Sequence, residues 1–412
     1  MSVNERRHAV YLYNRRVGTI SQRGDYTRFI FTERYLEDPN RPVLGLRFEE
    51  QLRDSITSAL RLPPWFSNLL PEGVLRRWIA DDRKVSPDRE MELLAQVGHD
   101  LPGAVRVIEL PEEDDESDWN FDKDTPSIMP QGSAKHVEWR FSLAGVGLKF
   151  SMLRNGDRLT LPAFGEGGDW IVKLPDPDYP NVPHNEFAMM RLASAAGLEV
   201  PDTQLVHRDA IQGLPSHVWR GREEWAYAVR RFDRDDSRRR IHIEDLAQVR
   251  SFYPDDKYNG NFETVAALIY RGRDLQALQE FTRRLAFNIL ISNGDAHLKN
   301  WSLIYRNPRI PTLSPAYDLV STEFYRVDEK PENLGLKFGG SRRFDTVNLG
   351  LFRRLQARLN VSPADLPETV FEVVERVNLL WREHRDLLSV NPELESSVGA
   401  SITERRKSLL RV

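Results

Sequence analysis

Cysteine is absent from this 412-residue chain, which excludes disulfides, thiolate metal sites and a cysteine nucleophile. Missing too is any apolar stretch approaching the roughly 18 residues of a transmembrane helix. The charged opening Met-Ser-Val-Asn-Glu-Arg-Arg-His leads into no signal-peptide core, so a soluble, cytoplasmic protein is expected. Excess charge is lacking as well. A formal net charge of -4 gives no general attraction to nucleic acid or membrane surfaces and leaves only local basic patches. No internal repeat or low-complexity segment is visible.

What remains is a chain able to bury a sizeable core, with 40% hydrophobic residues and nine Trp. Its length predicts about two or three domains. Residues 1–110 read as a small α+β unit. Strands over 9–13 and 17–20 flank a turn at Asn14, and 29–31 and 44–48 are further strand candidates. Helices pass through Leu75, Trp78 and Ile79, then through Leu93, Leu94 and Val97 to a stop at Gly98, before a strand over 105–110. Residues 111–135 are acidic and contain Pro, as a solvated linker does.

Residues 136–235 form a sheet-rich lobe, with strands predicted over 139–143, 149–153, 170–174 and 226–231 and an amphipathic helix through Phe187, Met190, Leu192 and Ala195. Residues 236–412 are mainly helical, with Phe281, Leu285 and Ile289 recurring every four residues and further helices over 351–359 and 370–387. The expected class is α+β. It is a bilobal, protein-kinase-like fold with a small N-terminal subdomain, a sheet-rich nucleotide lobe and a helical C-lobe.

The stretch Ile291-Ser-Asn-Gly-Asp-Ala-His-Leu-Lys-Asn-Trp301 carries the chemistry. Phosphoryl transfer needs a carboxylate to orient the accepting hydroxyl and oxygen ligands that hold Mg²⁺ against the phosphates. The D-x-x-x-x-N spacing of Asp295 and Asn300 supplies the base and one metal ligand. Asp318, in Ser-Pro-Ala-Tyr-Asp-Leu after a short hairpin, is the second metal ligand. Each residue alone has a plainer explanation, since Asn293-Gly-Asp also suits a surface turn. The ordered set is what points to chemistry.

Lys173 lies inside an apolar strand and must reach solvent or an anionic partner. A kinase strand lysine reaches ATP phosphates and a helix glutamate, here Glu186. Lys299 either neutralises the transferring phosphoryl group or caps a helix, and His297 sits beside it. Ser142-Leu-Ala-Gly-Val-Gly-Leu-Lys149 is a candidate phosphate-covering loop, through Ala144, Gly145, Val146, Gly147, Leu148 and Lys149, although G-x-G alone also fits a hairpin turn. The backbone around Arg230, Arg231 and Phe232 is the candidate hinge against adenine. The arginine runs at 230–234 and 238–240 read first as solvated faces, and second as a DNA or partner contact.

With these residues assembled, the chain resembles the HipA-type serine/threonine kinases, toxins of bacterial toxin–antitoxin pairs. The resemblance spans nearly the whole length. It rests also on Phe66-Ser-Asn-Leu-Leu-Pro-Glu-Gly73, Gly98-His-Asp-Leu-Pro-Gly-Ala-Val105, Ile171-Val-Lys-Leu-Pro175 and Tyr317-Asp-Leu319. It implies Asp295 as base, Asn300 and Asp318 as Mg²⁺ ligands, Lys173 on phosphate, a loop over ATP and autophosphorylation at Ser142. It also implies a translation factor such as an aminoacyl-tRNA synthetase as substrate, and a HipB-like DNA-binding antitoxin that makes most of the DNA contact. Val146-Gly-Leu148 departs from the more polar phosphate loop of that family. Two other readings stand beside this one. One is a small-molecule phosphotransferase with the same D-x-x-x-x-N logic; the other is a non-catalytic interaction protein on the same fold.

Overall fold

The computed structural model describes residues 5–111, 148–162, 167–214, 218–326 and 331–411. The chain divides into two compact units, each made of segments distant in sequence. The first takes residues 1–172, 233–254 and 304–311, and the second takes 173–232, 255–303 and 312–412. Of the predicted linker at 111–135 all but Pro111, together with the strand at 139–143 and the loop residues up to Gly147, lies outside the described residues.

The first unit is built on a five-stranded antiparallel sheet. Glu5–Leu12 lies between Arg15–Arg23 and Val105–Glu109, and Tyr26–Phe31 and Ile56–Ala59 continue the other side. Strand Tyr26–Phe31 alternates strictly, with Thr27, Phe29 and Phe31 inward, so period-2 patterning sets its register. The inward rings build an aromatic core: Phe29 lies 4.8 Å from Phe31 and 4.8 Å from Phe66, and Trp65 lies 5.1 Å from Phe66. Gly18 on the neighbouring strand has no alternative, because an added Cβ would come within 2.4 Å of the Phe29 ring.

One sequence expectation fails in this unit. Residues 44–48 do not form a strand; Leu46–Glu50 is a 3₁₀ turn. The apolar positions that are buried, Leu44 and Phe48, stand four apart, while Leu46 is only half-buried, so the turn delivers Phe48 to the aromatic core. Helices Gly73–Arg83 and Glu90–Val97 fall where periodicity put them. Gly98 caps the second, at a close approach where a Cβ would meet the Val107 carbonyl oxygen at 2.1 Å.

The two N-terminal motifs are structural anchors. Ser67 donates to the buried Glu90 carboxylate at 2.9 Å, and Asn68 donates to the Phe252 carbonyl at 2.7 Å. Asp100 and Gly103 are held by the segment that starts at Asp233. Gly103 N–H donates to Asp233 at 2.7 Å, and Arg234 donates to Asp100 at 2.8 Å. The arginine run is therefore not simply a solvated face: Arg231 and Arg234 are buried, whereas Arg238 and Arg239 are exposed.

The second unit is mainly helical. Helix Leu275–Leu290 is buried along almost its whole length and packs against Leu366–His384 and Pro392–Leu409. Helix Val182–Ala195 packs on the antiparallel strands Thr203–His207 and Trp225–Arg230. Helix Pro392–Leu409 was not among the sequence expectations. Its buried apolar residues Leu394, Val398, Ile402 and Leu409 make a stripe one residue wide, too thin to stand out in a polar segment. Among the described residues no helix is long and apolar enough to cross a membrane.

Candidate active site

Helix Leu275–Leu290 sets the position of the central loop. The chain leaves it through Ser292, in the left-handed region at φ 51°, where the buried Arg405 donates to the Ser292 hydroxyl at 3.2 Å. Asn293 then wires the loop together. Its amide donates to Asn288 Oδ1 at 2.7 Å and to the Asp318 carbonyl at 3.3 Å, while its Oδ1 accepts from Asp295 N–H at 3.0 Å. This is an Asx turn that aims Asp295. Asn300, at the end of the 3₁₀ turn Leu298–Asn300, donates its amide to the Asp295 carbonyl at 2.8 Å. That bond takes up an Asn300 N–H and leaves its Oδ1 free of this duty.

Exposure separates the loop residues. The Asp295 side chain is 54% exposed, whereas His297, Lys299 and Asn300 are buried. Tyr317 supports the loop from behind, donating to the Lys299 carbonyl at 2.8 Å. The hairpin Ser302–Asn307 and Ile310–Leu313 then returns the chain to Asp318, a non-glycine residue at φ 55°. Asp tolerates that region better than most side chains.

Lys173 is the meeting point. It donates to Glu186 Oε1 at 2.6 Å and to Asp318 Oδ1, with its ammonium 5.6 Å from the Tyr227 ring centroid. Burial opposes the charge on Lys173, but the Asp318 and Glu186 carboxylates more than offset it and raise its pKa. Tyr227 is driven the same way, by burial first and then by Glu186 and Asp318. Glu186 is thus the helix partner expected for Lys173. The contact with Asp318, 145 residues away, is an addition that no spacing signals.

The other predicted residues divide. Phe232 lies beside the site, with its ring centroid 5.5 Å from that of Tyr317. Arg230 is half-exposed and faces Asp202 at 3.8 Å, while Arg231 is buried. Lys149 opens the strand Lys149–Asn155 in the first unit, immediately after Leu148. Ser142, Ala144, Gly145, Val146 and Gly147 fall outside the described residues. Sequence reasoning passed over Tyr258, whose hydroxyl donates to Asp295 Oδ1. It stands 37 residues upstream in no recognisable motif. Spacing marks Asn293 only as a turn residue and gives no sign of its bonds to Asn288 and Asp318.

The donor set fits a magnesium–nucleotide pair. Mg²⁺ takes few protein oxygens and relies on phosphate and water for the rest. Asp318 offers a carboxylate and Asn300 an amide oxygen, and among the described residues no cluster of three His, Cys, Asp or Glu forms a self-sufficient cage. An exposed loop carboxylate, and a strand lysine paired to a helix glutamate, are residue types that phosphoryl transfer uses.

Comparison with known proteins agrees with that class. Residues 141–381 match the HipA-like C-terminal domain, and residues 8–108 match the HipA N-terminal domain. The chain is also 41% identical over 398 residues to Y4dM of Sinorhizobium fredii, provisionally designated a kinase, covering 94% of each protein. This chain belongs to the HipA family. It is 28% identical over 313 residues to the serine/threonine-protein kinase toxin HipA of Shewanella oneidensis, covering 66% of each. A chain in the solved complex of Shewanella oneidensis HipA, HipB and operator DNA superposes with a TM-score of 0.69 at 20% identity, covering 97% of this chain and 96% of that one. The fold is accordingly the mixed α+β, kinase-like one expected from the sequence.

Proposed function

We propose that this protein is a Mg²⁺-ATP-dependent serine/threonine protein kinase, the toxin of a toxin–antitoxin pair. The observation that carries the reading is Lys173 held between Glu186 and Asp318, in the same unit as the exposed Asp295. Bound Mg²⁺-ATP would supply the γ-phosphoryl group and the charge that stabilises its transfer. The chain's own residues do the rest. Asp295 orients the acceptor hydroxyl and takes its proton. Asn300 and Asp318 would hold the metal. Lys173 binds phosphate, and Glu186 keeps its ammonium in place.

Lys299 and His297, both buried, are further ATP-binding residues, with Lys299 adding positive charge near the transferred group. Backbone around Arg230, Arg231 and Phe232 meets adenine, and Ala144 to Lys149 covers the phosphates. Ser142 is the site of autophosphorylation, which adds about -1.5 to -2 of charge at pH 7 and repels that loop from the nucleotide. In this layout residues 1–110 are an accessory subdomain, 111–135 a linker, 136–235 the nucleotide lobe and 236–412 the acceptor lobe. The protein target is a translation component such as an aminoacyl-tRNA synthetase. A HipB-like antitoxin holds the toxin and makes most of the DNA contact.

The test is the intact mass of the purified protein before and after Mg²⁺-ATP, with Asp295→Asn beside it. A gain of about 80 Da per phosphate, mapped to Ser142 and absent from the variant, is expected. Phosphate transferred to an aminoglycoside or sugar, with none on protein, would replace this reading by the small-molecule phosphotransferase.

A further inference from the structure

The segment just before helix Phe262–Tyr270 lies directly on the central loop. Lys257 accepts from Leu298 N–H at 3.0 Å through its carbonyl. The Tyr258 ring stands edge-on to His297, with centroids 5.0 Å apart and planes at 81°. Its hydroxyl donates to Asp295 Oδ1. Arg342 pins this segment from the other side, donating to the Tyr258 carbonyl and, at 2.6 Å, to the Gly335 carbonyl. Gly335 in turn abuts the loop so closely that a Cβ would meet the Ala296 carbonyl carbon at 2.7 Å. Tyr258 is thus anchored through its backbone, its ring and its hydroxyl.

Asp295 needs such an anchor. The Asx turn fixes its backbone, but its carboxylate torsion is broad and more than half of the side chain faces solvent. Its carboxylate receives one hydrogen bond among the described residues, from the Tyr258 phenol. The nearest His297 nitrogen is 3.8 Å away, beyond hydrogen-bond reach. A phenol on Oδ1 stops rotation of the carboxylate and leaves Oδ2 for an incoming hydroxyl.

We propose that Tyr258 is a positioning residue, which holds the Asp295 carboxylate by one oxygen so that the other faces the acceptor hydroxyl. The inference rests on the reading of Asp295 as the base. Tyr258→Phe removes the hydroxyl and keeps the ring against His297. ADP formation from Mg²⁺-ATP is followed for wild type, Tyr258→Phe, Asp295→Asn and the double variant.

The expected result is a kcat about 10- to 100-fold lower in Tyr258→Phe, since a misplaced reacting group costs up to about 10²-fold. KM for ATP and Tm stay at wild-type values, and the double variant is no slower than Asp295→Asn alone. An unchanged kcat in Tyr258→Phe, with Asp295→Asn inactive, overturns the positioning role and leaves the base intact. A fall in kcat matched by lower Tm or weaker ATP binding overturns it too, because that is the signature of a structural role. Wild-type turnover in Asp295→Asn, or none in wild type, removes the base reading and this inference with it.

Discussion

Two carboxylates of the first unit and two of the second are treated in opposite ways. In the first, Glu90 is buried and saturated: Leu62 N–H and Ser67 Oγ each donate at 2.9 Å, and Arg61 and Arg76 approach to 3.2 and 3.3 Å. Glu244 accepts from Leu46 N–H at 3.0 Å, from Trp65 Nε1 at 3.1 Å and from the Tyr305 hydroxyl. In the second unit, Asp295 accepts from the Tyr258 hydroxyl and Asp318 from Lys173, and both reach solvent. Buried acids with both oxygens hydrogen-bonded hold structure together. Acids whose oxygens reach solvent can bind a ligand. Burial combined with donor count separates the two classes here better than residue type does.

Crossed substitutions sharpen that contrast. Asp295→Asn should lower the rate of phosphoryl transfer by about 10²–10⁴ and leave urea denaturation unchanged, because the side chain is half-exposed. Glu90→Gln should do the reverse. It should cost about 3 kcal/mol of stability in urea, as breaking a buried ion pair does, with normal ATP turnover in the folded fraction. A Glu90→Gln protein that is inactive but fully stable would break the distinction.

Lys173→Met tests the boundary case, a cation serving both structure and ligand. Loss of its charged hydrogen bonds should weaken nucleotide binding about 10- to 100-fold by calorimetry. It should also destabilise the fold, because Glu186 is buried and would lose its partner. Unaltered nucleotide affinity would place the phosphates elsewhere.

The smallest effect concerns pH. Burial raises the Glu244 pKa from 4.5 to about 7, and lowers that of its neighbour His242 from 6.5 to about 4. The native state holds the Glu244 proton more tightly than the unfolded chain does. Its contribution to stability is therefore complete below about pH 4.5 and lost as pH rises to about 7. For His242 the neutral form is favoured in the fold, so its contribution is complete above pH 6.5 and lost as pH falls to about 4. The two oppose each other over the shared range. Glu244→Gln should expose the histidine alone, giving a stability that climbs with pH from about 4 to 6.5 where wild type is flatter. Superimposable stability–pH curves would rule out that coupling.

Much of this site was legible in the order of residues. Asp295 and Asn300 stand five apart in one loop, so local chain geometry alone keeps them together. Lys173 announced itself as a charge in an apolar strand, and Glu186 lies early in the next helix, within reach. These are short-range facts, carried by spacing and by the cost of burying a charge. The kinase-like class followed from the same order of elements, because periodicity is a local signal too.

What spacing could not reveal depends on distant segments meeting. The Lys173–Asp318 pair joins residues 145 apart, and the Tyr258–Asp295 bond joins residues 37 apart. The arginine run looked solvated because charge runs usually are, yet Arg234 is buried by its bonds to Asp100 and Gly103. Likewise the 3₁₀ turn Leu46–Glu50 overrode an apolar alternation because Phe48 is drawn into the aromatic core and Leu46 N–H to Glu244. By itself the sequence determined which residue types could perform phosphoryl transfer, and the local elements that carry them. Only the tertiary structure decided which acids are saturated and which stay accessible, since donor count and solvent exposure are properties of packed neighbours rather than of position along the chain.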